Sequence, residues 1–253
     1  MKKFLVVLLA AAMMLSLSAC SKDPSNNEAE NRNVKSEGVM TYAEFMAAPM
    51  DSEVVIEAYV QGHQSWWNDT INVYAQDDDG GYFIYNMACS QADAEKLVEG
   101  TKIKVTGYKA EWSGEIEIID ATFEFCDSEY NWNYIAHYVT QDLGTDDLAK
   151  YMNMKVAFEG MTVEPSTDPN GNEVAFLYNW DGSGSHDDNS DLYFNVSYEG
   201  QTYTFTVESY LCDNTTEVYA AVENLKVGDV IDMEGFLYWY NGPNPHITEV
   251  TVK

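Results

Sequence analysis

Short runs of apolar residues bounded by polar turns recur along most of the chain and predict β-strands. Val54 to Gln61, Ile71 to Gln76 and Tyr82 to Met87 are rich in β-branched and aromatic residues. The acidic, glycine-containing stretch Asp77 to Gly81 separates the last two runs and is typical of a hairpin turn. These features predict three consecutive strands, the last two joined as a hairpin.

Two short helices are predicted beside these strands. Thr41 and Glu44 form a capping-box pattern at the start of the segment Tyr42 to Ala48. Ser90 is placed to cap a second helix over Gln91 to Val98, and a glycine follows the end of that segment.

Two more strands follow the second helix. In Lys102 to Lys109, apolar Ile103 and Val105 alternate with polar neighbours, as in a strand that is buried on one face. Glu115 to Glu124 forms the last strand of the unit. The predicted order is therefore three strands, a helix and two strands.

The same spacing of glycines occurs twice in the chain and indicates an internal repeat. Trp112 and Tyr240 occupy matching places in the two frames, and Val54 to Ala58 is similar to Val156 to Gly160. The repetition predicts two copies of one domain. The two sets of glycines, each with a spacing of seven, are Gly100, Gly107 and Gly114, and Gly228, Gly235 and Gly242.

The order of elements and the glycine-marked fourth strand resemble those of the OB-fold, a five-stranded Greek-key barrel. The resemblance implies an all-β chain with short helices (a β-rich α+β chain) made of two tandem OB-fold-like five-stranded Greek-key barrels. The first copy is assigned to residues 40–128 and the second to residues 129–253. The second copy contains an insertion from Trp180 to Asp191.

The first twenty residues have the layout of an export signal. Lys2 and Lys3 precede the apolar run Phe4 to Leu17, which is short for a membrane-spanning helix. The run ends in Leu17-Ser18-Ala19-Cys20, which resembles the bacterial lipobox. The resemblance implies a signal peptide over residues 1–19 and a lipid on Cys20 that attaches the chain to a membrane. The alternative is an ordinary signal peptide in which Cys20 is incidental.

Residues 20–39 are polar, contain almost no apolar side chains, and predict a flexible tether behind that cysteine. The whole chain thus resembles bacterial lipoproteins that carry tandem OB-fold domains. This resemblance implies a protein of the cell envelope, held on the extracytoplasmic side by its lipid. Whether the membrane is an outer or a plasma membrane stays open.

The charge of the chain is strongly negative, at −29, and Arg32 is the only arginine. Neutralisation of phosphates by basic side chains carries much of the affinity for nucleic acids. We therefore expect no nucleic-acid partner, and no electrostatic attraction to an anionic membrane surface.

Three cysteines follow Cys20, namely Cys89, Cys126 and Cys212. An odd number allows one disulfide at most, with Cys89–Cys126 as the plausible pair, and three free thiols are the alternative. Their spacing is not that of a zinc site. Acidic turns such as Asp168 to Glu173 lack the spacing of an EF-hand and are assigned to solvated hairpins. No metal and no cofactor are predicted.

The loop after the first strand, Gly62 to Thr70, is the candidate binding site. OB barrels usually bind along their second and third strands, between the loops after strands one and four. We expect these two loops to converge at one end of the barrel, where aromatic faces suit sugar rings. The predicted stacking residues are Trp66, Trp67 and Trp112, and the predicted hydrogen-bonding residues are Gln64, Asn68 and Glu111. Packing of Trp66 or Trp67 at the barrel end is the alternative.

Trp239 and Tyr240 mark a second candidate site in the second copy, weaker than or different from the first, because the loop Glu164 to Glu173 lacks aromatic residues. The four histidines are scattered, and no nucleophile or metalloprotease motif occurs. The sequence therefore predicts a non-enzymatic ligand-binding module for an extracellular oligosaccharide or peptide. The alternative is a structural or assembly protein of the cell envelope that acts through protein–protein contacts.

Overall fold

The computed structural model describes residues 32–128 and 131–253. The predicted signal peptide, Cys20 and the first part of the tether lie outside the described residues. Residues 35–253 form one compact unit that contains all the strands discussed below, and a unit with its own cores can fold alone. No helix in the described part of the chain has the length and apolar content that crossing a membrane requires.

Five strands close into the first barrel, in the order β1-β2-β3-β5-β4. β3 and β5 run parallel, and the other neighbouring strands are antiparallel. The strands are β1 (Glu53–His63), β2 (Thr70–Gln76), β3 (Gly81–Ala88), β4 (Lys102–Trp112) and β5 (Glu115–Phe125). Helix α1 (Tyr42–Ala47) precedes the barrel, and helix α2 (Gln91–Ala94) lies between β3 and β4.

The second barrel repeats this topology, and the predicted fold class is confirmed. A ring of five strands runs β7-β11-β12-β14-β13 and closes where β11 pairs with β7. Here too the third and fifth strands of the ring, β12 and β14, run parallel. The ring consists of β7 (Lys155–Glu164), β11 (Leu192–Tyr198), β12 (Gln201–Val207), β13 (Val230–Phe236) and β14 (His246–Val252), with helix α3 (Glu217–Glu223) before β13.

Shorter elements surround the second barrel. One of them, β10, pairs with β11 and lies just before the insertion that the sequence predicts. The others are β6 (His137–Tyr138), β8 (Ser166–Thr167), β9 (Glu173–Val174), β10 (Phe176–Tyr178) and two 3-10 helices, Thr140–Asp142 and Asp146–Tyr151.

Alternation of side chains along each strand builds one apolar core inside each barrel. Val73 and Ala75 of β2 and Ile84 of β3 point into the first core, whereas Phe194 and Phe205 do so in the second. Because successive side chains in a strand face opposite sides, the residues between them lie on the outer face. That outer face of the second and third strands differs between the two barrels.

The repeated glycines occupy equivalent positions in the two barrels. Gly107 and Gly235 both lie at irregularities in the pairing of the fourth strand with the fifth. A Cβ atom at Gly107 would meet the Ile119 carbonyl oxygen at 2.8 Å, and one at Gly235 would meet the His246 carbonyl oxygen still closer. Only glycine therefore allows the fifth strand to approach the fourth strand so closely at these positions. This close approach explains why a glycine recurs at the same place in both copies of the repeat.

The local predictions hold with one correction. The capping box between Thr41 and Glu44 forms at α1. Helix α2 is shorter than predicted, because the Lys96 and Leu97 amides donate to carbonyls three residues back and tighten the chain after Ala94. The three described cysteines are free thiols. Burial raises the pKa of Cys89 to about 11 and that of Cys212 to about 12, so both stay protonated.

Candidate functional site

The outer face of β2 and β3 in the first barrel is covered by the second barrel. The ring of Phe236 stacks on Tyr74, with centroids 4.3 Å apart and planes 4° from parallel. Tyr238 meets Phe83 edge to face at 5.3 Å. Tyr74, Phe83 and Phe236 are all buried and form a third apolar cluster between the two barrel cores.

Polar groups complete this interface. The buried carboxyl group of Glu115 accepts a 2.8 Å hydrogen bond from the backbone amide of Trp239. Burial raises the pKa of Glu115 to about 8. His246 shares a 3.0 Å hydrogen bond with the Tyr74 hydroxyl, and burial lowers the pKa of His246 to about 3, so its imidazole is neutral. Removal of either barrel would leave these groups unpaired.

The prediction that the loops after β1 and β4 converge is wrong. β1 and β4 are antiparallel, with Glu53 at the start of β1 opposite Tyr108. The turn after β4 therefore lies beyond the start of β1. Trp66 and Trp67, in contrast, follow the end of β1. Trp112 and Glu111 are exposed, but they do not share a site with the two adjacent tryptophans.

The adjacent tryptophans have different environments. Trp66 is partly buried against the first core, and its indole nitrogen donates a 2.8 Å hydrogen bond to the Cys89 carbonyl. Trp67 is 78% exposed. Asn68 is exposed in the same turn, with a positive φ of 49°. Trp66 thus follows the packing alternative, whereas Trp67 presents its ring to solvent.

A groove of about 340 Å³ lies beside Trp67; we call it the junction groove. Tyr85 and Asn86 form one wall, and Tyr210 of the second barrel forms another. The floor is an amide pair, in which Asn72 Nδ2 donates to Gln64 Oε1 at 2.5 Å. None of the described residues that line the groove is charged.

A larger groove of about 950 Å³ lies on the outer face of β11 and β12; we call it the open groove. It occupies on the second barrel the face that is covered on the first. Exposed Trp180 and Tyr240 stand at its sides together with partly buried Tyr193. Its described lining also carries no charged side chain, although the chain as a whole is strongly acidic.

Hydroxyl and amide groups are linked along the floor of the open groove. Thr204 Oγ1 donates to Asn195 Oδ1 at 2.8 Å, and Asn195 Nδ2 donates to Ser166 Oγ at 3.1 Å. Burial, with Asp191 and Glu208 nearby, raises the pKa of Tyr193, so its phenol stays protonated as a hydrogen-bond donor. These links orient the polar groups before any ligand arrives.

The insertion that carries Trp180 is fastened at several points. Glu223 Oε1 of α3 accepts a 2.6 Å hydrogen bond from the Tyr178 hydroxyl. The same oxygen lies 2.8 Å from His186 Nδ1. A Cβ atom at Gly182 would lie only 2.6 Å from Pro169, so the insertion packs directly on the loop after β7. The segment therefore holds an exposed tryptophan on an ordered support.

Sequence reasoning identified part of the open groove. Of the two residues proposed there, Tyr240 lines the groove, whereas Trp239 is partly buried with its ring beside Gly114 of the first barrel. Trp180 and Tyr193 were missed. A signal existed for Tyr193, because it alternates with core residues in Leu192-Tyr193-Phe194-Asn195 and so had to face outward.

Among the described residues, no three histidine, cysteine or acidic side chains are grouped as a metal ion would require. The Asp168 carboxylate accepts hydrogen bonds from the amides of Asn170 and Asn172, which accounts for its turn without an ion.

Comparisons with solved structures give distant likenesses. The Ifi202 HINa domain in complex with double-stranded DNA is 10% identical, at a TM-score of 0.36 over 80% of this chain and 98% of that chain. A murine DNA binding protein bound with double-stranded DNA is 8% identical, at 0.38 over 79% and 96%. A Replication Protein A heterotrimer bound to single-stranded DNA is 12% identical, at 0.31 over 87% and 51%. No protein-family model and no curated protein matches the chain.

These comparisons correct one expectation. Nucleic acid was excluded as a partner from the net charge alone, yet the solved structures above hold double- or single-stranded DNA. The physical reason for the error is that net charge averages over the surface. The described linings of both grooves are uncharged, so they lack the negative charge on which the exclusion rested.

Proposed function

We propose that this chain is a non-enzymatic binding module whose open groove holds a neutral oligosaccharide. One observation carries the proposal: aromatic rings and linked amide and hydroxyl groups surround a groove without a charged side chain in its described lining. Trp180 and Tyr240 offer flat faces to the C–H faces of sugar rings. Asn195, Thr204 and Ser166 offer both donors and acceptors to the hydroxyls at the ring edges.

A neutral ligand fits the electrostatics better than a charged one. A cationic ligand would find no carboxylate in the described lining, and an anionic ligand would find no cationic side chain there. A sugar chain needs neither, because its recognition depends on stacking and on hydrogen bonds.

An extended peptide is a weaker fit to this groove. Peptides often bind by adding a strand to an open sheet edge. Both strands beneath the open groove already have neighbours on each side, since β11 pairs with β12 and β7, and β12 pairs with β11 and β14. Recognition at this face must therefore come from side chains.

The test is calorimetric titration of residues 35–253 with maltohexaose, cellohexaose and laminarihexaose, beside a single-stranded oligothymidylate. We expect a neutral hexasaccharide to bind, and Trp180→Ala to weaken it about tenfold or more. Trp112→Ala is the matched control, since Trp112 is 59% exposed but lines neither groove, and it should change the affinity less than twofold.

Two results would contradict the proposal. One is binding of the oligothymidylate and of none of the neutral sugars. The other is sugar binding that is equally strong in the Trp180→Ala variant. Circular dichroism of both variants checks that the barrels remain folded.

We further propose that the module is exported and held at the extracytoplasmic face of the cell envelope by lipid on Cys20. The lipobox-like sequence supports this part. Metabolic labelling with palmitate, followed by detergent phase partitioning, should place the labelled chain in the detergent phase. A Cys20→Ala variant that carries as much label would contradict lipidation at this residue.

A further inference from the structure

The junction groove has the same chemical character as the open groove, although it is built from different elements. Trp67 follows β1, Tyr85 lies on β3, and Tyr210 follows β12 of the second barrel. All three rings are exposed to solvent. Because one wall comes from the second barrel, the complete groove exists only while the barrels are docked.

A β-bulge produces the aromatic wall on the first barrel. Ile71 pairs with Met87 and Val73 with Ile84, so the two residues Tyr85 and Asn86 oppose the single residue between them on β2. Asn86 takes a positive φ of 48°, which lets both side chains face outward in succession. Regular alternation would have turned one of them into the core.

The floor of the junction groove is held by a chain of hydrogen bonds that crosses between the barrels. The Asn86 amide donates to Asn72 Oδ1 at 2.6 Å, and Asn72 Nδ2 donates to Gln64 Oε1. Gln64 Nε2 then donates to Glu208 Oε2 at 3.0 Å, and the Leu211 amide donates to the same oxygen at 2.9 Å.

This series of hydrogen bonds fixes the side-chain amides of Asn72 and Gln64 in one orientation. The Asn86 backbone amide can only donate, so Asn72 must present its oxygen to Asn86 and its NH₂ group to Gln64, and the Gln64 NH₂ group then points to Glu208. The backbone of the loop is fixed as well, since the Ser65 amide donates to the Tyr210 carbonyl at 2.6 Å. The groove is therefore ordered in its floor and aromatic at its rim.

We propose that the junction groove is a second binding site, which takes a short neutral sugar segment between Trp67, Tyr85 and Tyr210. The ligand class rests on the proposed function of the open groove, but the site is separate. Its volume of about 340 Å³, against about 950 Å³ for the open groove, assigns it a shorter segment of a sugar chain.

The experiment is ¹⁹F NMR of residues 35–253 labelled with 5-fluorotryptophan, in which the six tryptophans give separate reporters. Single Trp→Phe variants assign the signals of Trp67, Trp180 and Trp112. The probes are maltose, cellobiose and laminaribiose and the corresponding hexasaccharides. We expect the Trp67 signal to shift with a disaccharide, whereas the Trp112 signal, outside both grooves, stays in place.

Two variants separate the sites. Tyr210→Ala removes an exposed wall and should weaken the Trp67 response about tenfold, while the Trp180 response stays within twofold. Trp180→Phe removes the reporter of the open groove, and the Trp67 response should remain.

The two proposals fail in different ways. A Trp67 signal that no sugar moves, beside a Trp180 signal that shifts, overturns the junction site and leaves the open groove standing. The reverse pattern overturns the open groove and supports the junction site. If no neutral sugar moves either signal, both proposals are wrong.

Discussion

The two barrels share one topology but use the same face in opposite ways. In the first barrel, Tyr74 and Phe83 on the outer face of β2 and β3 are buried by the second barrel. In the second barrel, Tyr193 and Asn195 on the corresponding face line the open groove. A repeated domain can thus bury this face in one copy and leave it open to solvent in the other without a change of fold.

The sequence of the third strand differs between the two barrels in a way that matches this difference in burial. β3 contains Tyr82-Phe83-Ile84, apolar or aromatic on both faces, as in a strand buried on both sides. β12 reads Thr202-Tyr203-Thr204-Phe205-Thr206, which alternates and predicts one solvated face. The contrast between these strands is therefore the local signal for which barrel is covered.

The first prediction concerns the stack that joins the barrels. Phe236→Ala should lower the free energy of unfolding by about 3–5 kcal/mol, because it removes a buried ring from the centre of the interface. Urea denaturation measures the effect. Tyr108→Ala, an exposed aromatic residue on β4, is the control and should cost less than about 0.5 kcal/mol. A loss below about 1 kcal/mol at Phe236 would mean that the barrels do not depend on this contact.

The second prediction separates the adjacent tryptophans. Trp66→Ala should destabilise the chain by about 2–4 kcal/mol, since Trp66 packs on the first core and donates to Cys89. Trp67→Ala should change stability by less than about 0.5 kcal/mol, since its ring is exposed. Equal effects of the two substitutions on the thermal midpoint would contradict the different roles assigned to them.

The third prediction follows from the buried carboxyl groups at the interface. Burial raises the pKa of Glu115 to about 8 and that of Glu208 to about 7, above the usual value of 4.5. The unfolded chain therefore releases these protons at lower pH than the folded chain does. The contribution of these protons to stability should be complete below about pH 4.5 and should be lost as the pH rises to about 7 for Glu208 and about 8 for Glu115, by up to about 1.4 kcal/mol per pH unit for each group.

Urea denaturation at several pH values between about 5.5 and 8.5 checks this slope. Glu115→Gln should make the profile flatter, because the neutral amide has no proton to lose. Glu111→Gln, an exposed change on the preceding strand, should leave the profile unchanged. A profile that rises with pH would show that the interface does not hold these carboxyls in their protonated form.

The fourth prediction is the smallest and concerns the open groove alone. Asn195→Ala breaks the link between Thr204 and Ser166 and should weaken binding of a neutral hexasaccharide by roughly threefold to tenfold. Calorimetric titration measures the change. Gln91→Ala, an exposed amide at the start of α2 that lines neither groove, is the control. Equal losses in the two variants would indicate that the floor of the groove plays no specific part.

Much of the fold could be predicted because its determinants are local. Gly107 and Gly235 mark the crossing of the fourth and fifth strands, and strand alternation marks most core residues. The site was predictable only in part. Trp112 is separated from Trp67 by the antiparallel pairing of β1 with β4, and Phe236 docks on Tyr74 across a long stretch of the chain, so neither contact is visible in a local pattern.

The most direct test of the account is hydroxyl-radical footprinting of residues 35–253, read out by mass spectrometry for each tyrosine and phenylalanine. We predict that Tyr74 and Phe83 are protected, whereas Tyr193 and Tyr240 are oxidised. The Phe236→Ala variant, where it remains folded, should expose Tyr74. Oxidation of Tyr74 and Phe83 in the unmodified chain as fast as that of Tyr240 would contradict the claim that one barrel face is covered and the other open.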